Sequence, residues 1–365
     1  MAEEAPVLQV RGPSPLIASS LALDYIPFME LIVNANTAIR GRLDAIGRTE
    51  DLRFSPSGRV LAIAGFEENR ILIFGISSGD DGHIALTGGA EIVSPNINKP
   101  HGLDFLDEER IIVANREGAT EIFCLPPLDE SMRRHELLPV ATVPNDEVTG
   151  VRTPGSVASR RNADGGYTVF VCNNYINTIT RHKLSAGGEL VDSELLLRHR
   201  LSTPDGIALS ADGSWVAVSN HDDHSVFVYA LDDDLGPESE PASVLRGTMY
   251  PHGLRFTADG QNIIVADAGK PVVNVYPCPE RGWRGMHFPT VSHRVMTDEA
   301  FRRGNYNPME GGPKGLDVSP NQSMMAVTCC EQPLSVLLLR PILEKSDLYF
   351  SLRSHSGSRD KAPRP

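Results

Sequence analysis

The sequence predicts an all-β fold, a six-bladed β-propeller with four antiparallel strands in each blade. Short apolar runs alternate with turn sequences along most of the chain, which is typical of antiparallel hairpins. One unit of this kind recurs six times between residues 49 and 339, and its period of roughly 50 residues indicates a propeller or a solenoid. A lone four-stranded sheet leaves both faces bare, whereas blades packed around an axis bury them.

The clearest unit runs from Thr203 to Leu231, where Ala211-Asp212-Gly213 joins two apolar runs as a hairpin turn. Each unit contains three short apolar runs, which predict three strands. The other five units are Thr49–Ile76, Lys99–Leu125, Pro154–Leu184, Tyr250–Cys278 and Pro313–Leu339. A fourth strand is expected after five of the six units, at Ala90–Val93, Leu137–Val143, Glu194–Arg198, Ser243–Leu245 and Thr290–Val295.

The segments outside the units set the domain boundaries. We expect an N-terminal extension at 1–36, one propeller domain at 37–352 and a polar, disordered tail at 353–365. A strand at Thr37–Leu43 would form the outer strand of the last blade and close the ring, and Asp347–Leu352 is the alternative closing strand. A degenerate seventh blade within Leu21–Leu43 is the minor alternative to a six-bladed ring.

Composition and charge exclude several classes of protein. The formal net charge of −13 is spread along the chain, which argues against a nucleic-acid partner. The N-terminus has no basic segment followed by an apolar run, and no apolar run approaches a membrane span, so we expect a cytoplasmic protein with no membrane contact. The five cysteines lie within or beside predicted strands, which predicts buried, reduced thiols.

The segment 279–312 is longer than the corresponding segment of the other units. Its parts Arg281–His287 and Asn305–Gly312 are rich in Gly, Pro, Arg and aromatic residues. An insertion of this length in a compact fold is usually functional or disordered. Because it precedes the innermost strand of the sixth unit, it should emerge on the face where the innermost strands begin. We interpret it as a candidate lid, with a plain surface loop as the alternative.

Polar residues converge at one mouth of the predicted central channel, because every first strand begins there and every second strand ends there. When the units are aligned on the turn glycine, the first ring of residues is Glu50, His101, Pro154, Asp205, His252 and Lys314. The second ring, at the ends of the second strands, is Gly65, Asn115, Asn173, Asn220, Asp267 and Cys329, with Arg116, Asn174 and His221 as neighbours.

The first ring has the side chains of a metal site. Under six-fold geometry His101 faces His252 across the axis, and Glu50 faces Asp205. Two imidazoles and two carboxylates pointing inward predict a site for a divalent cation such as Zn²⁺, Mn²⁺ or Fe²⁺. The alternative is that these residues only form good turns and satisfy backbone groups and water in the channel.

The second ring would orient these ligands or hold polar groups of a small-molecule substrate. The residues predicted to contact such a substrate are Asn115, Arg116, Asn173, Asn220, His221 and Asp267.

The openings P-H-G-L-x-F and P-D-G-I-A-L-S-A-D-G resemble those of the propeller superfamily that includes gluconolactonase and senescence-marker proteins, YVTN-type and NHL-repeat proteins, and streptogramin lyases. The resemblance covers roughly residues 50–340 and implies the fold more specifically than the activity. For a gluconolactonase-like protein it implies a divalent cation, including Mg²⁺ or Ca²⁺, on Glu50 and Asp205. Pro154 stands where that family has an asparagine ligand, and the two histidines are unlike that family.

These observations favour a metal-dependent enzyme that acts on a small polar molecule at the channel mouth. Lactone or ester hydrolysis is the first expectation, with a metal-polarised carbonyl or activated water and a histidine that moves a proton. Elimination or isomerisation is the second, with His101 or His252 as the base and Lys314 as its partner. A propeller that only binds other molecules, without chemistry, is the third.

Overall fold

The computed structural model describes residues 30–78 and 83–356, with side chains described as far as residue 350. It confirms the predicted six-bladed propeller of antiparallel blades. Residues 1–29 of the predicted N-terminal extension, which include part of the alternative seventh blade, lie outside the described residues, as do residues 357–365 of the predicted tail. No helix within the described ranges is both long enough and apolar enough to span a bilayer.

The first three blades each contain four antiparallel strands. Blade 1 contains Thr49–Phe54, Val60–Gly65, Arg70–Ser78 and Ile84–Val93. Blade 2 contains Pro100–Phe105, Arg110–Asn115, Thr120–Cys124 and Ala141–Val143. Blade 3 contains Pro154–Arg161, Tyr167–Asn173, Thr178–Leu184 and Leu190–Leu197, with a 3-10 turn at Asn174–Ile176 after its second strand.

The second half of the ring repeats this order. Blade 4 contains Pro204–Leu209, Trp215–Asn220, Ser225–Ala230 and Ser243–Leu245. Blade 5 contains Pro251–Phe256, Asn262–Asp267, Val272–Pro277 and Val291–Arg294. Within the described residues blade 6 has three strands, Leu316–Val318, Met324–Cys329 and Gln332–Leu338.

Hairpin turns and apolar strands account for the blades. Gly58, Gly213 and Gly260 occupy the turns between first and second strands with φ of 72°, 71° and 68°, a left-handed conformation that glycine adopts without strain. The strands are apolar on both faces, so each buries one face against the blade before it and one against the blade after it. Six buried clusters fill the six interfaces between consecutive blades, including that between blade 6 and blade 1.

The ring closes differently from the sequence expectation. The predicted strand at Thr37–Leu43 was wrong, because Thr37–Asp44 forms helix α1, whose N-terminus is capped by the Asn36 side chain accepting from the Ile39 N–H. The edge of blade 6 is instead covered by Glu30, which forms an antiparallel bridge to Leu337, and by Leu31, whose N–H donates to Val336 at 2.7 Å. The other predicted closing strand, Asp347–Leu352, lies within helix α3, Arg340–Ser356.

Three short strands extend the outer edges of the blades. Val33–Asn34 and Arg133–Glu136 each pair in parallel with Ile84–Val93 of blade 1, and Gly285–His287 pairs in parallel with Ser243–Leu245 of blade 4. Backbone hydrogen bonds therefore link parts of the chain that belong to different repeats. The fourth strand of blade 2 begins at Ala141, later than expected from the sequence.

The long segment 279–312 contains three regular elements. It contributes the extra strand of blade 4, the fourth strand of blade 5 and helix α2, Asp298–Gly304, which is capped by Thr297. Only residues 305–312 remain as a loop beside the channel mouth.

The prediction that the cysteines are buried is correct for only some of them. Cys172 and Cys329 are buried, whereas Cys124 is exposed.

Candidate metal centre at the channel mouth

A β-bulge at the start of the innermost strands positions the site residues. In blade 2 the pairing shifts between Pro100 and Gly102, and in blade 4 it shifts between Pro204 and Gly206. A bulge leaves one residue out of the ladder and re-aims its side chain. The residues left out here are His101 and Asp205, and the equivalent irregularities in blades 1 and 5 contain Glu50 and His252.

In blade 3 the residue at the first-ring position differs from the one inferred from the sequence. Its bulge lies between Pro154 and Ser156, so the ring position is Gly155 and the sequence alignment was wrong by one residue. A Cβ atom built on Gly155 would overlap the side-chain amide of Asn174, which donates from Nδ2 to Asp205. Asn174 therefore fills the space that a side chain would occupy at position 155. The Asn173-Asn174 pair at the end of a strand was the only sequence signal for this role.

Four of the predicted ligands meet in one place. Glu50 Oε2 lies 3.3 Å from His252 Nε2 and 3.5 Å from His101 Nε2. Asp205 lies 3.1 Å from His252 Nε2 through Oδ2 and 3.8 Å from His101 Nε2 through Oδ1. The two imidazole rings stack with centroids 5.2 Å apart, and all four residues are buried. The approach of residues from four different blades agrees with the predicted convergence.

Glu50 has one carboxylate oxygen held by cations and one oxygen directed at the two imidazoles. Oε1 accepts from Arg48 Nε and from Lys314 Nζ, the latter at 3.2 Å, whereas the buried Oε2 faces the Nε2 atoms of His252 and His101. Burial alone would raise the pKa of Glu50, but Lys314, His101, a hydrogen bond from His252, and Arg48 outweigh it and hold the pKa well below its usual value. An ionised, buried oxygen without a partner is costly unless a proton donor or a cation meets it.

His101 presents a lone pair to the same space. Its Nδ1 lies 2.5 Å from the carbonyl oxygen of Gly155, and because a carbonyl can only accept, Nδ1 carries the proton and Nε2 is bare. Burial and the neighbouring Arg116 lower the pKa of His101 to about 3, so the ring is neutral at physiological pH. A neutral imidazole whose other N–H is held by a carbonyl is the usual form of a metal-binding histidine.

Arg116 competes for these same atoms. Its Nη2 lies 2.6 Å from His101 Nε2 and 3.0 Å from Asp205 Oδ1, while Nη1 donates to the hydroxyl of Tyr175 at 2.8 Å. Burial alone would raise the pKa of Asp205, but His252, His101 and Arg116 hold it well below its usual range. A cation on His101 Nε2 would require Arg116 to withdraw, and Tyr175 already holds the far side of its guanidinium.

The spacing of these atoms fits a metal ion. Glu50, His101 and His252 each offer one ligand atom, and these atoms lie within 4.8 Å of one another. A tetrahedral zinc ion with bonds of about 2.1 Å separates its ligands by about 3.4 Å, close to the 3.3 Å and 3.5 Å from Glu50 to the two imidazoles. This group could hold a metal ion, and Asp205 lies beside it.

Lys314 is fixed between two carboxylates. Its Nζ lies 3.2 Å from Glu50 and 2.7 Å from Glu310, and although burial opposes its charge, these carboxylates raise the pKa of Lys314. Glu310 also pairs with Arg48 at 3.1 Å, and Arg48 donates to the Tyr306 hydroxyl at 3.2 Å. Two residues of the loop 305–312, which is the remaining loop of the predicted lid, thus contact the cations beside Glu50. Glu310 contacts Lys314 and Arg48, and Tyr306 contacts Arg48.

Most side chains of the second ring form hydrogen bonds with the backbone. The side-chain oxygens of these residues accept from N–H groups in the loop that leads to the first strand of the same blade. The pairs are Asn115 with Asn98 at 3.1 Å, Asn173 with Arg152 at 2.9 Å, Asn220 with Ser202 at 3.1 Å, and Asp267 with Met249 and Tyr250 at 2.8 Å and 3.1 Å. Of the residues predicted to contact substrate, only Arg116 and His221 have side chains directed elsewhere.

His221 forms a pair with Asp222, a carboxylate that was not among the predicted site residues. Its Nδ1 lies 2.9 Å from Asp222 Oδ1, and Asp222 in turn accepts from the Thr203 hydroxyl at 2.7 Å. The ring packs 5.0 Å from that of Tyr250 and contributes to the lowered pKa of Asp205. A carboxylate that fixes one ring nitrogen leaves Nε2 as the nitrogen that can exchange a proton.

Comparison with known proteins identifies the fold alone. Known protein families gave no match, and neither did curated proteins. Among solved structures, a functionally unknown protein from Desulfotomaculum acetoxidans aligns with a TM-score of 0.51 at 12% identity, covering 80% of this chain and 83% of that one. Hydrazine synthase from Kuenenia stuttgartiensis aligns with a TM-score of 0.52 at 14% identity, covering 83% of this chain and 80% of that one. Identities this low support the propeller architecture and no activity.

Proposed function

We propose that the protein is a metal-dependent hydrolase that opens a small lactone or ester at this channel mouth. The observation that carries the proposal is the ionised Oε2 of Glu50, which is buried and lies within 3.5 Å of two imidazole nitrogens. The resemblance of the repeat openings to gluconolactonase-type propellers supports the choice of reaction.

In this proposal Glu50, His101 and His252 hold the divalent cation, and Asp205 lies close enough to serve as a further oxygen ligand. The cation would polarise the substrate carbonyl or lower the pKa of a bound water. His101 contributes as a neutral ligand because its Nδ1–H is held by Gly155. Zn²⁺ and Mn²⁺ suit a site of two imidazoles with carboxylates better than Mg²⁺ or Ca²⁺, which favour oxygen ligands.

The remaining residues of the mouth orient substrate and move protons. His221, oriented by Asp222, would take a proton from the attacking water through Nε2 and return it to the leaving oxygen. Arg116, once withdrawn from His101, would offer its guanidinium to an oxygen of the substrate. Lys314 holds Glu50 in its ionised form, and an ammonium paired with two carboxylates is a poor base. This disfavours elimination with Lys314 as a proton carrier.

The test is metal analysis followed by activity. Purified protein is dialysed against a mixture of divalent cations, washed and analysed by mass spectrometry for bound metal. We expect about one ion per chain in the wild type and none in His101→Ala, His252→Ala or Glu50→Gln. His182→Ala is the matched control, because His182 is also buried but bonds Ser193 and Thr180 away from the mouth.

The loaded protein is then assayed with γ-butyrolactone, glucono-δ-lactone and p-nitrophenyl acetate. Hydrolysis that is lost in His221→Gln with metal still bound would support the assigned proton transfer. Protein that takes up no metal, or takes it up equally in all the variants, would overturn the proposal and favour a propeller that only binds other molecules.

A further inference from the structure

A third ring of residues, four of them charged, lies at the opposite end of the channel. It is three residues further along each innermost strand than the metal centre, which is about 10 Å. Its members, in blade order, are Arg53, Asp104, Ala158, Ala208, Arg255 and Asp317. Together with Ser159 and Leu209 they line a cavity of about 180 Å³. The small alanines of blades 3 and 4 take up little of this space.

Arg53 is anchored by one nitrogen and Arg255 by two, and both leave donors free. Arg53 Nη1 bonds Asp51 at 2.5 Å and the Leu52 carbonyl at 2.7 Å, while its buried Nε has no partner among the described residues. Arg255 bonds Asp317 through Nε at 2.8 Å and the Leu254 carbonyl through Nη1 at 2.6 Å. In the described part of the chain no hydrogen bond reaches Nη2 of either arginine. Arg53 therefore keeps an intact Nε and Nη2 edge, the edge that binds an oxyanion with two parallel hydrogen bonds.

The nearby carboxylates accept hydrogen bonds from the backbone of the next blade and do not pair with the Nε and Nη2 edge of Arg53. Asp51 accepts from the Leu103 N–H of blade 2 at 3.1 Å, and Asp104 accepts from the Ser159 N–H of blade 3 at 2.7 Å. Asp317 accepts from the Phe54 N–H of blade 1 at 2.8 Å. Each carboxylate thus joins its blade to the next, and the guanidinium edge of Arg53 is left for another acceptor.

We propose that this cavity binds a small oxyanion, a carboxylate or a phosphate, on the Nε and Nη2 edge of Arg53 with Arg255 as a second donor. A water molecule takes about 30 Å³, so a cavity of about 180 Å³ has room for one such ion. The site is separate from the metal centre and does not depend on the proposed hydrolase activity.

Binding should be coupled to protons. The groups around the ion are Arg53 and Arg255, which are cations, and Asp51, Asp104 and Asp317, which are acids. Burial raises the pKa of Asp104 and of Asp317 to about 6, although Arg53 opposes both increases. An anion next to these carboxyls favours their protonated form. The affinity is therefore higher at pH 5.5 than at pH 7.5.

The proposal is tested by titration calorimetry of the full chain with inorganic phosphate and, separately, with succinate. We expect saturable binding of at least one probe, and the better probe indicates whether the natural ligand is a phosphate or a carboxylate. Arg53→Lys keeps the charge but loses the two-donor edge, so binding falls about tenfold or more. Arg70→Lys is the control, because Arg70 also has a buried Nε without a partner but does not line the cavity.

A second variant guards against a folding defect. Ala208→Leu fills the cavity and leaves both arginines in place, and it should also abolish binding while circular dichroism stays unchanged. The absence of saturable binding of either probe by the wild type would overturn the proposal. So would binding that survives both Arg53→Lys and Ala208→Leu, since the ion would then lie elsewhere or be adventitious.

Discussion

At the scale of single residues, the candidate site depends on the competition between Arg116 and a metal ion for His101 Nε2. The guanidinium lies 2.6 Å from this nitrogen and 3.0 Å from Asp205, so it already neutralises part of the cluster. A metal ion would have to displace this guanidinium, so it would bind more weakly than to the ligands alone. The arginine also lowers the pKa of His101, which keeps the ring neutral and able to bind a cation.

Arg116→Met tests this competition. We expect metal affinity to rise about tenfold, because a charge-assisted hydrogen bond of about 1.5–3 kcal/mol no longer has to be broken. The measurement is a chelator competition assay with Zn²⁺ or Mn²⁺. Lys99→Met is the control, since Lys99 is a nearby cation paired with Glu67. A weaker affinity in Arg116→Met would mean that the arginine supports the ion.

Gly155 and Asn174 form a second residue-scale pair. Gly155→Ala places a methyl group on the Asn174 amide, and overpacking of this kind typically costs about 1–3 kcal/mol of unfolding free energy. The double variant with Asn174→Ala relieves the overlap, so the two changes are not additive. Urea denaturation of the two single variants and the double variant measures the coupling. Strictly additive losses would show that Asn174 does not fill this position.

At the scale of elements, β-bulges and edge pairing decide where side chains lie. An irregularity at the start of the innermost strand in blades 1 to 5 turns one residue toward the channel, and the residue three positions later faces the channel again at its other end. In these five blades the same device places both the first-ring residue at the channel mouth and the member of the ring that contains Arg53. Edge pairing is less regular, because blade 6 borrows its outer contact from Glu30 and Leu31.

Truncation tests that closure. Removing residues 1–35 deletes the bridge to Leu337 and the Val33–Asn34 strand of blade 1, so both edges lose backbone hydrogen bonds. We expect a lower Tm than for a chain that starts at residue 30, which retains these contacts and serves as the control. Differential scanning calorimetry compares the two chains. Equal Tm values would show that closure does not depend on this segment.

At the scale of the whole molecule, buried carboxylates join one blade to the next and make stability depend on pH. The folded pKa of Asp104, about 6, exceeds the value of about 3.9 for a free aspartate. The folded protein holds this proton more tightly than the unfolded chain. The resulting stability is present below about pH 4 and is lost as the pH rises through 6, at about 1.4 kcal/mol for each pKa unit.

The test compares Asp104→Asn with the wild type between pH 4 and pH 7. Burial lowers the pKa of His101, His182 and His293, and these rings oppose the aspartate over part of this range, so the wild-type curve alone does not isolate it. The stability of the variant relative to the wild type should rise with pH between 4 and 6, because asparagine carries no charge. Asp212→Asn, at a hairpin turn, is the control. A constant difference between the Asp104 variant and the wild type would contradict the raised pKa.

The sequence by itself determined the propeller, the number of blades and the residue types at the channel mouth. Hairpin turns, apolar strands and the repeat period are local properties of the chain, so they can be read without knowing what packs against what. The facing of His101 with His252 followed from the repeat alone.

Only the tertiary structure decided which atoms of the site are free. Contacts between distant parts of the chain decide four features of the molecule. These are the ring position at Gly155, the approach of Asn174 and Arg116 to the site, the direction of Glu50 Oε2 and the closure of the ring at Glu30. A bulge shifts the register by one residue, and a side-chain hydrogen bond selects one partner among several in reach. Neither the register shift nor the hydrogen-bond partner can be predicted from the local sequence, because each depends on which groups of the neighbouring blade lie in reach.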